Sequence, residues 1–281
     1  MPSTTPPAPG AWPALREANR RRWDERVPLH LASDFYNVDS FRAGQDALRA
    51  FEVDEIGADV AGRSLLHLQC HIGTDTLSWL RHGAARVVGL DFSEPAVDAA
   101  RDLAAGLGID RDRALFVASD VYDAVSAVPD KAYDVVYTGV GALCWLHDIR
   151  AWADTVAALL APGGFLYLAE FHPACWMLDD ETGSRVVRDY FAPDAFEYES
   201  SGTYTDWEAP TAHNRAAEWQ HTMGDIVSAL ASAGLRLDFL HEHDFTLFGM
   251  FGGLEERDGV CRFPADRPRV PLMYSLKATK P

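Results

Sequence analysis

From residue 64 to residue 171 the chain repeatedly alternates short, continuously apolar runs with segments of helical periodicity. The apolar runs are 64–69, ARVVGLD (85–91), ALFVASD (114–120), YDVVYTGV (133–140) and FLYLAEF (165–171). Helical segments lie between them at 74–82, at 149–160, and from Ser93, a capping residue with Pro95 in the first turn, to about Leu107. A strand with one face in water alternates polar and apolar residues, whereas a strand covered on both faces is apolar throughout. Strand–helix units of the second kind specify an α/β fold: a doubly wound, Rossmann-like parallel sheet with helices on both sides.

The flanks are less regular. Helical patterns at 14–27 and 45–56 surround the stretch DFYNVDSF, and we expect residues 14–60 to form an N-terminal helical lid. The proline-rich residues 1–13 read as a flexible tail. After His172 the rhythm breaks. Residues 173–218, rich in Tyr, Asp, Glu and Ser, read as an insertion with short strands at SRVVRDYF and YESSGTYTDW. Helical periodicity returns at 223–233, ended by Gly234. LRLDFLHEH and PLMYSLKA are the closing strands, with a long loop around 249–268 between them. Residues 14–281 are expected to form one domain.

Charge narrows the partners. The formal charge is −17, which repels a phosphate backbone and argues against nucleic acid. The basic run Arg20, Arg21, Arg22 is followed at once by Asp24 and Glu25 and reads as a solvated helix face. No apolar run reaches the length of a membrane span. The four cysteines (Cys70, Cys144, Cys175, Cys261) lack zinc spacing and fit a reducing cytoplasm.

In an open α/β sheet a ligand sits beyond the carboxyl ends of the strands. The loop LLHLQCHIGTDTL (65–77) lies there, yet it retains only Gly73 of the G-x-G-x-x-G that lets backbone approach a pyrophosphate. It is not a G-x-x-x-x-G-K-[ST] loop either. A ligand without a pyrophosphate tolerates side chains in that position. S-adenosylmethionine, an adenosine joined to a sulfonium and an amino-acid end, is such a ligand. Asp91 ends the second strand 18 positions after Gly73, near the ~20 at which an acid reads a ribose diol. Asp120 ends the third strand, where it can meet the adenine amino group.

The series LLHLQCHIGTDTL, VVGLDFS, FVASDVYD, YDVVYTGVGALCWL and LLAPGGFLYLAEFHP resembles the class I S-adenosylmethionine-dependent methyltransferases, most closely a bacterial subgroup carrying HLQCH-x-G-x-D. The resemblance runs from about Asn19 to Pro173 and again through PLMYSLKA. It implies a seven-stranded sheet with an antiparallel last strand. It also implies cofactor contacts from the 67–74 loop (His67, Gln69, Cys70, His71, Gly73, Thr74), from Asp91 and Phe92, from Ser119, Asp120 and Val121, and from Thr138 and Gly139. The common pattern has an acid at position 67 and glycines at 69 and 71, where this chain has His67, Gln69 and His71.

Methyl transfer is a displacement in which positioning and desolvation do much of the catalysis, with a base needed only for a protonated acceptor. His172 and Glu170, flanking the end of the fifth strand, are the candidates for that base and its orienting partner. His147 and His221 fit capping roles better, and a metal site from Glu170, His172 and His213 or His221 lacks a compact motif. Tyr36 is expected to close over the cofactor. Tyr190, Phe191, Phe196, Tyr198, Tyr204 and Trp207 are expected to wall an acceptor pocket in the insertion. The function expected is methyl transfer to a small molecule. A binding module without transfer activity, or a protein or RNA methyltransferase, are the alternatives.

Overall fold

The computed structural model describes residues 12–192 and 194–281. The first eleven residues of the expected tail lie outside them, and Trp12 and Pro13 already belong to a helix. In chain order the helices are α1 (Trp12–Leu31), α2 (Val38–Arg42), α3 (Ala50–Val60), α4 (Thr74–Arg81), α5 (Glu94–Gly106), α6 (Ala124–Ala127), α7 (Ile149–Leu159) and α8 (Met223–Ser232). The strands are β1 (Ser64–Leu68), β2 (Arg86–Asp91), β3 (Ala114–Ala118), β4 (Tyr133–Gly139), β5 (Leu160–Phe171), β6 (Phe196–Glu199), β7 (Arg215–Glu218), β8 (Arg236–His243), β9 (Phe245–Thr246), β10 (Glu255–Arg257), β11 (Val260–Arg262) and β12 (Met273–Thr279).

Seven strands form the main sheet in the order β3-β2-β1-β4-β5-β12-β8. β1 to β5 pair in parallel, and β12 runs antiparallel between β5 and β8. The apolar strands are covered on both faces, as their composition requires. Leu66, Leu68, Val136 and Leu166 pack with Trp152, Val156 and Ile226 on one side. Leu65, Val87, Val135 and Tyr137 pack with Ile56, Leu77, Trp79 and Val97 on the other. The strand order reverses between β1 and β4, so the carboxyl ends of β1, β2, β3 and β4 open onto a single crevice. Ser93 caps α5 as expected, accepting from Ala96 N–H.

The flanks depart from expectation in three places. SRVVRDYF is not a strand; Val186 makes a single bridge to Leu178, and Val186 and Val187 are exposed. The insertion instead forms the hairpin β6–β7, with the start of the expected YESSGTYTDW strand inside β6 and the remainder in turns. The loop before β12 is not bare, since β9, β10 and β11 fold there into a small antiparallel sheet.

Helix α1 holds on to the insertion by polar contacts. Asn19 exchanges two hydrogen bonds with Ala217, Nδ2 donating to its carbonyl and Oδ1 accepting from its N–H. Arg22 donates to the carbonyls of Ser200 and Asn214, and Arg26 to those of Gly202 and His213. Glu25 accepts from the N–H groups of Ala212 and His213. Asn19, Arg22 and Arg26 are buried. The basic run is therefore only partly a solvated face: Arg20 and Arg21 pair with Glu17 and Asp24 near the surface, while Arg22 is buried against the hairpin. Together α1 and the 199–218 segment form a cap over the carboxyl edge of the sheet.

Candidate functional site

The loop after β1 keeps the backbone shape of a glycine-rich turn without the glycines. Gln69 (φ 63°) and His71 (φ 49°) both adopt left-handed conformations, at the two positions where the common pattern has glycine. Such a conformation costs a non-glycine residue roughly 1–2 kcal/mol. The side chains put there make contacts that glycines could not. Gln69 Nε2 donates to the Ala142 carbonyl at 2.9 Å, tying the loop to the segment after β4. His71 points up into the cap, with its Nε2 2.7 Å from His30 Nδ1. Gly73 (φ 78°) is required for another reason: a Cβ there would lie 2.7 Å from Phe116 and 2.8 Å from Ala100. The retained glycine lets the loop lie against β3 and α5.

Asp91 ends β2 as expected, whereas Asp120 lies two residues beyond the end of β3, at the start of the turn that follows. Asp91 is buried; its Oδ2 accepts from His71 N–H at 2.8 Å and its Oδ1 from Ser93 N–H at 2.9 Å. Burial pushes its pKa up to about 6, against the pull of those backbone donors. Each oxygen keeps a second lone pair for a ligand hydroxyl. Asp120 accepts from Tyr122 N–H and pairs with Arg16 of α1 at 3.0 Å. Phe92 and Ser119 are half-buried beside these acids, and Val121 is in the core. His67 is turned into the sheet, its Nδ1 2.8 Å from Thr76 Oγ1, and burial lowers its pKa to about 3, so it is neutral. Cys70 is buried with its thiol pKa raised by desolvation, and Thr74 and Thr138 are buried as well. Gly139 closes β4, where a Cβ would lie 3.1 Å from the Ala169 carbonyl oxygen.

Three residues of α1 spaced seven apart, Arg16, Trp23 and His30, face these loops. Arg16 reaches Asp120. The Trp23 ring meets His71 edge-on at 5.3 Å and Trp145 at 5.4 Å. His30 bonds His71 and, through Nε2, Thr203 Oγ1 at 2.6 Å. Tyr36 stacks on His30 at 5.4 Å, and its hydroxyl meets that of Tyr204. Composition hid these residues, because a helix rich in Arg, Glu and Asn carries no apolar stripe. The seven-residue spacing was the available signal.

The expected acceptor-side residues are less closely gathered. Of the six insertion aromatics, Tyr204 joins the cluster around His71. Tyr198 bonds Glu218, Tyr190 accepts from Met223 N–H, and Phe191, Phe196 and Trp207 are exposed. Glu170 accepts four backbone N–H bonds, from Gly141, Ala142, Leu143 and Phe171, and so clamps the turn after β4. His172 accepts from Ala174 N–H at Nδ1, with Nε2 3.1 Å from Glu242 of β8 and its ring edge-on to Tyr274. That places it toward β12 and β8, on the far side of β5 from His71. His147 stacks on Trp12, and His221 bonds the Leu146 carbonyl. Among the described residues no cluster of side chains is arranged to hold a metal.

The crevice fits a ligand rich in hydrogen-bond donors. Two buried acceptors at this edge, Gln69 Oε1 and Asp24 Oδ1, have no partner among the described residues. Asp24 follows Trp23, and its charge contributes to the raised pKa of Asp91. A buried acceptor left unpaired costs about 1–3 kcal/mol. An adenine amine, a ribose diol or an α-ammonium would supply such donors.

Sheet order, the antiparallel β12 and the acids ending β2 and at the turn after β3 define a class I S-adenosylmethionine-dependent methyltransferase fold. Residues 66–166 match the methyltransferase-domain family. The chain is similar to the ribosomal protein L11 methyltransferase of Azotobacter vinelandii, 36% identical over 114 residues, which is 40% of this chain and 35% of that protein. The curated relatives are matched over only 33–35% of their length. Among solved structures, an S-adenosylmethionine-dependent methyltransferase from Mesorhizobium loti superposes with a TM-score of 0.53 at 21% identity, covering 78% of this chain and 92% of that one. One from Methanosarcina mazei gives 0.54 at 18% identity, covering 84% and 99%.

Proposed function

We propose that the protein transfers the methyl group of S-adenosylmethionine to a small-molecule acceptor enclosed beneath α1 and the 199–218 segment. Bound S-adenosylmethionine would supply an electrophilic methyl on a cationic sulfur. In this reading Asp91 accepts from the ribose hydroxyls, Asp120 faces the adenine amine once Arg16 releases it, and Gln69 Oε1 accepts from the α-ammonium that no acid at position 67 can take. Thr74, Phe92, Ser119, Val121, Thr138 and Gly139 shape the surrounding walls, and the HLQCH sequence of the loop supports assignment to the HLQCH-type subgroup. The cap excludes water, which strengthens every polar contact made under it.

The observation that carries the acceptor class is the cap itself. Arg16, Trp23 and His30 press onto three successive parts of the crevice, and Tyr36 and Tyr204 close its rim. A covered, aromatic-lined site suits a small acceptor, and the formal charge of −17 disfavours RNA. The four free cysteines fit action in a reducing cytoplasm. Among the described residues no helix is long and apolar enough to cross a membrane. A protein acceptor is the second reading, favoured by the relatives named for ribosomal protein L11. The test is release of S-adenosylhomocysteine from S-adenosylmethionine in the presence of small phenols, thiols and amines, or of ribosomal proteins. Turnover with the small molecules alone supports the first reading; turnover with a ribosomal protein alone replaces it with the second.

A further inference from the structure

The hydrogen-bonded pair His71–His30 joins the three regions that meet at the site. His71 belongs to the loop after β1, and its N–H is held by Asp91. Its ring extends to His30 of the cap helix at 2.7 Å, and His30 continues to Thr203 of the insertion at 2.6 Å. Trp23, Tyr36 and Tyr204 surround the pair. His71 and His30 thus bridge the Asp91 edge and the insertion. His172, by contrast, faces Glu242 and Tyr274 beyond β5.

We propose that His71 is the proton acceptor of the methyl-transfer reaction and that His30 is a positioning residue that fixes its tautomer. The proposal rests on the reading of the site as a methyltransferase centre. The chain can run in either direction; proton acceptance at His71 requires the one in which His71 Nε2–H donates to His30 Nδ1 and His30 Nε2–H donates to Thr203 Oγ1. His71 Nδ1 then bears a lone pair. In the step, a lone pair on the acceptor atom forms a bond to the methyl carbon, and the carbon–sulfur bond breaks with its electron pair going to sulfur. The acceptor's proton passes to His71 Nδ1. The sulfonium charge disappears as the imidazolium charge appears, so the buried site holds the same total charge before and after. The groups facing the pair leave it neutral beforehand: desolvation lowers both histidines, with the Arg26 charge adding to the effect on His30 and His30 itself to that on His71. The acceptor class follows: a phenol or thiol, which keeps a lone pair while protonated and loses its proton as the bond to carbon forms.

The test begins with long-range nitrogen NMR of the full chain labelled at histidine, free and with S-adenosylhomocysteine bound. The expected result is an unprotonated Nδ1 and protonated Nε2 on His71, and the same tautomer on His30. A proton on His71 Nδ1 overturns the proposal. His30→Ala should convert His71 to a tautomer mixture; an unchanged tautomer overturns the positioning role. His71→Asn, a residue that tolerates the left-handed backbone, should leave S-adenosylmethionine affinity within about threefold and lower turnover of any acceptor found in the screen by about a hundredfold or more. Normal turnover in that variant overturns the role of His71. If calorimetry shows that the wild-type chain binds neither S-adenosylmethionine nor S-adenosylhomocysteine, the cofactor reading fails, independently of the tautomers measured on the free protein.

Discussion

The sheet edge and the cap that meet at His71 and His30 are built by opposite means. The edge is carried by strands whose side chains are apolar and covered on both faces, so its acids sit on a rigid base. The cap is carried by Asn19, Arg22, Glu25 and Arg26, whose side chains hold the backbone of the 199–218 segment by direct hydrogen bonds. Trimming one apolar side chain removes packing but leaves no polar partner buried and unpaired. A polar clasp of this kind loses stability steeply when one member leaves, because its partners remain buried and unpaired. In the proposed function the two regions would have different jobs, the edge holding the cofactor and the cap covering it.

The largest effect should come at the edge. Asp91→Ala removes a carboxylate expected to accept from two ribose hydroxyls, each bond to a charged group worth about 1.5–3 kcal/mol. Calorimetry should show S-adenosylmethionine affinity falling by at least tenfold; an unchanged dissociation constant would place the ribose elsewhere. Arg26→Ala should act on the cap alone. It strips the Gly202 and His213 carbonyls of a donor, at about 1–3 kcal/mol for each acceptor left buried and unpaired. Hydrogen exchange should speed up at residues 199–218 while β1 to β5 stay protected, and equal loosening of both would abolish the distinction between the regions.

A smaller effect is set by pH. Asp91 has a folded pKa raised to about 6 from the ordinary 3.8, chiefly by burial, so the unliganded fold loses stability from this group as pH rises through that window. Ribose hydroxyls favour the ionised form, so cofactor affinity should rise with pH up to about 6 and level off above it. Asp75 is buried with a pKa raised to about 6 as well, so Asp91→Asn is the control and should flatten the profile. A pH dependence that survives in Asp91→Asn would belong to another group. The smallest effect is expected for Gln69→Gly. It relieves a left-handed backbone worth roughly 1–2 kcal/mol and loses one hydrogen bond to Ala142 worth about 1 kcal/mol, so the melting temperature should barely move.

The same contrast explains what could be read from the sequence. Strands such as VVGLD and FLYLAEF announce themselves because burial on both faces demands apolar residues throughout, and Asp91 and Asp120 were visible as acids closing or following such runs. The cap was not legible. Arg22 and Arg26 look like surface residues, and only the structure shows their guanidinium groups buried on backbone carbonyls. SRVVRDYF has β-branched residues in a strand-like pattern, but no neighbouring strand pairs along it, so it stays a loop with one bridge. Glu170 and His172 stood at a strand end as expected, yet the direction of a side chain there depends on neighbours far away in sequence: the turn at 141–143 for Glu170, Glu242 for His172. His30 carried no local signal beyond its spacing from Trp23 and Arg16.

The claim that the strand ends form an adenosyl-sulfonium site, and not a dinucleotide site, is tested most directly by titration calorimetry of the purified chain against S-adenosylmethionine, S-adenosylhomocysteine and NAD under identical conditions. The loop has Gln69 and His71 where a pyrophosphate needs bare backbone, while Asp91 stands at the end of β2, where it would accept from a ribose. The account predicts one-to-one binding of the first two ligands and no heat of binding with NAD. Binding of NAD without binding of either adenosyl ligand would contradict it.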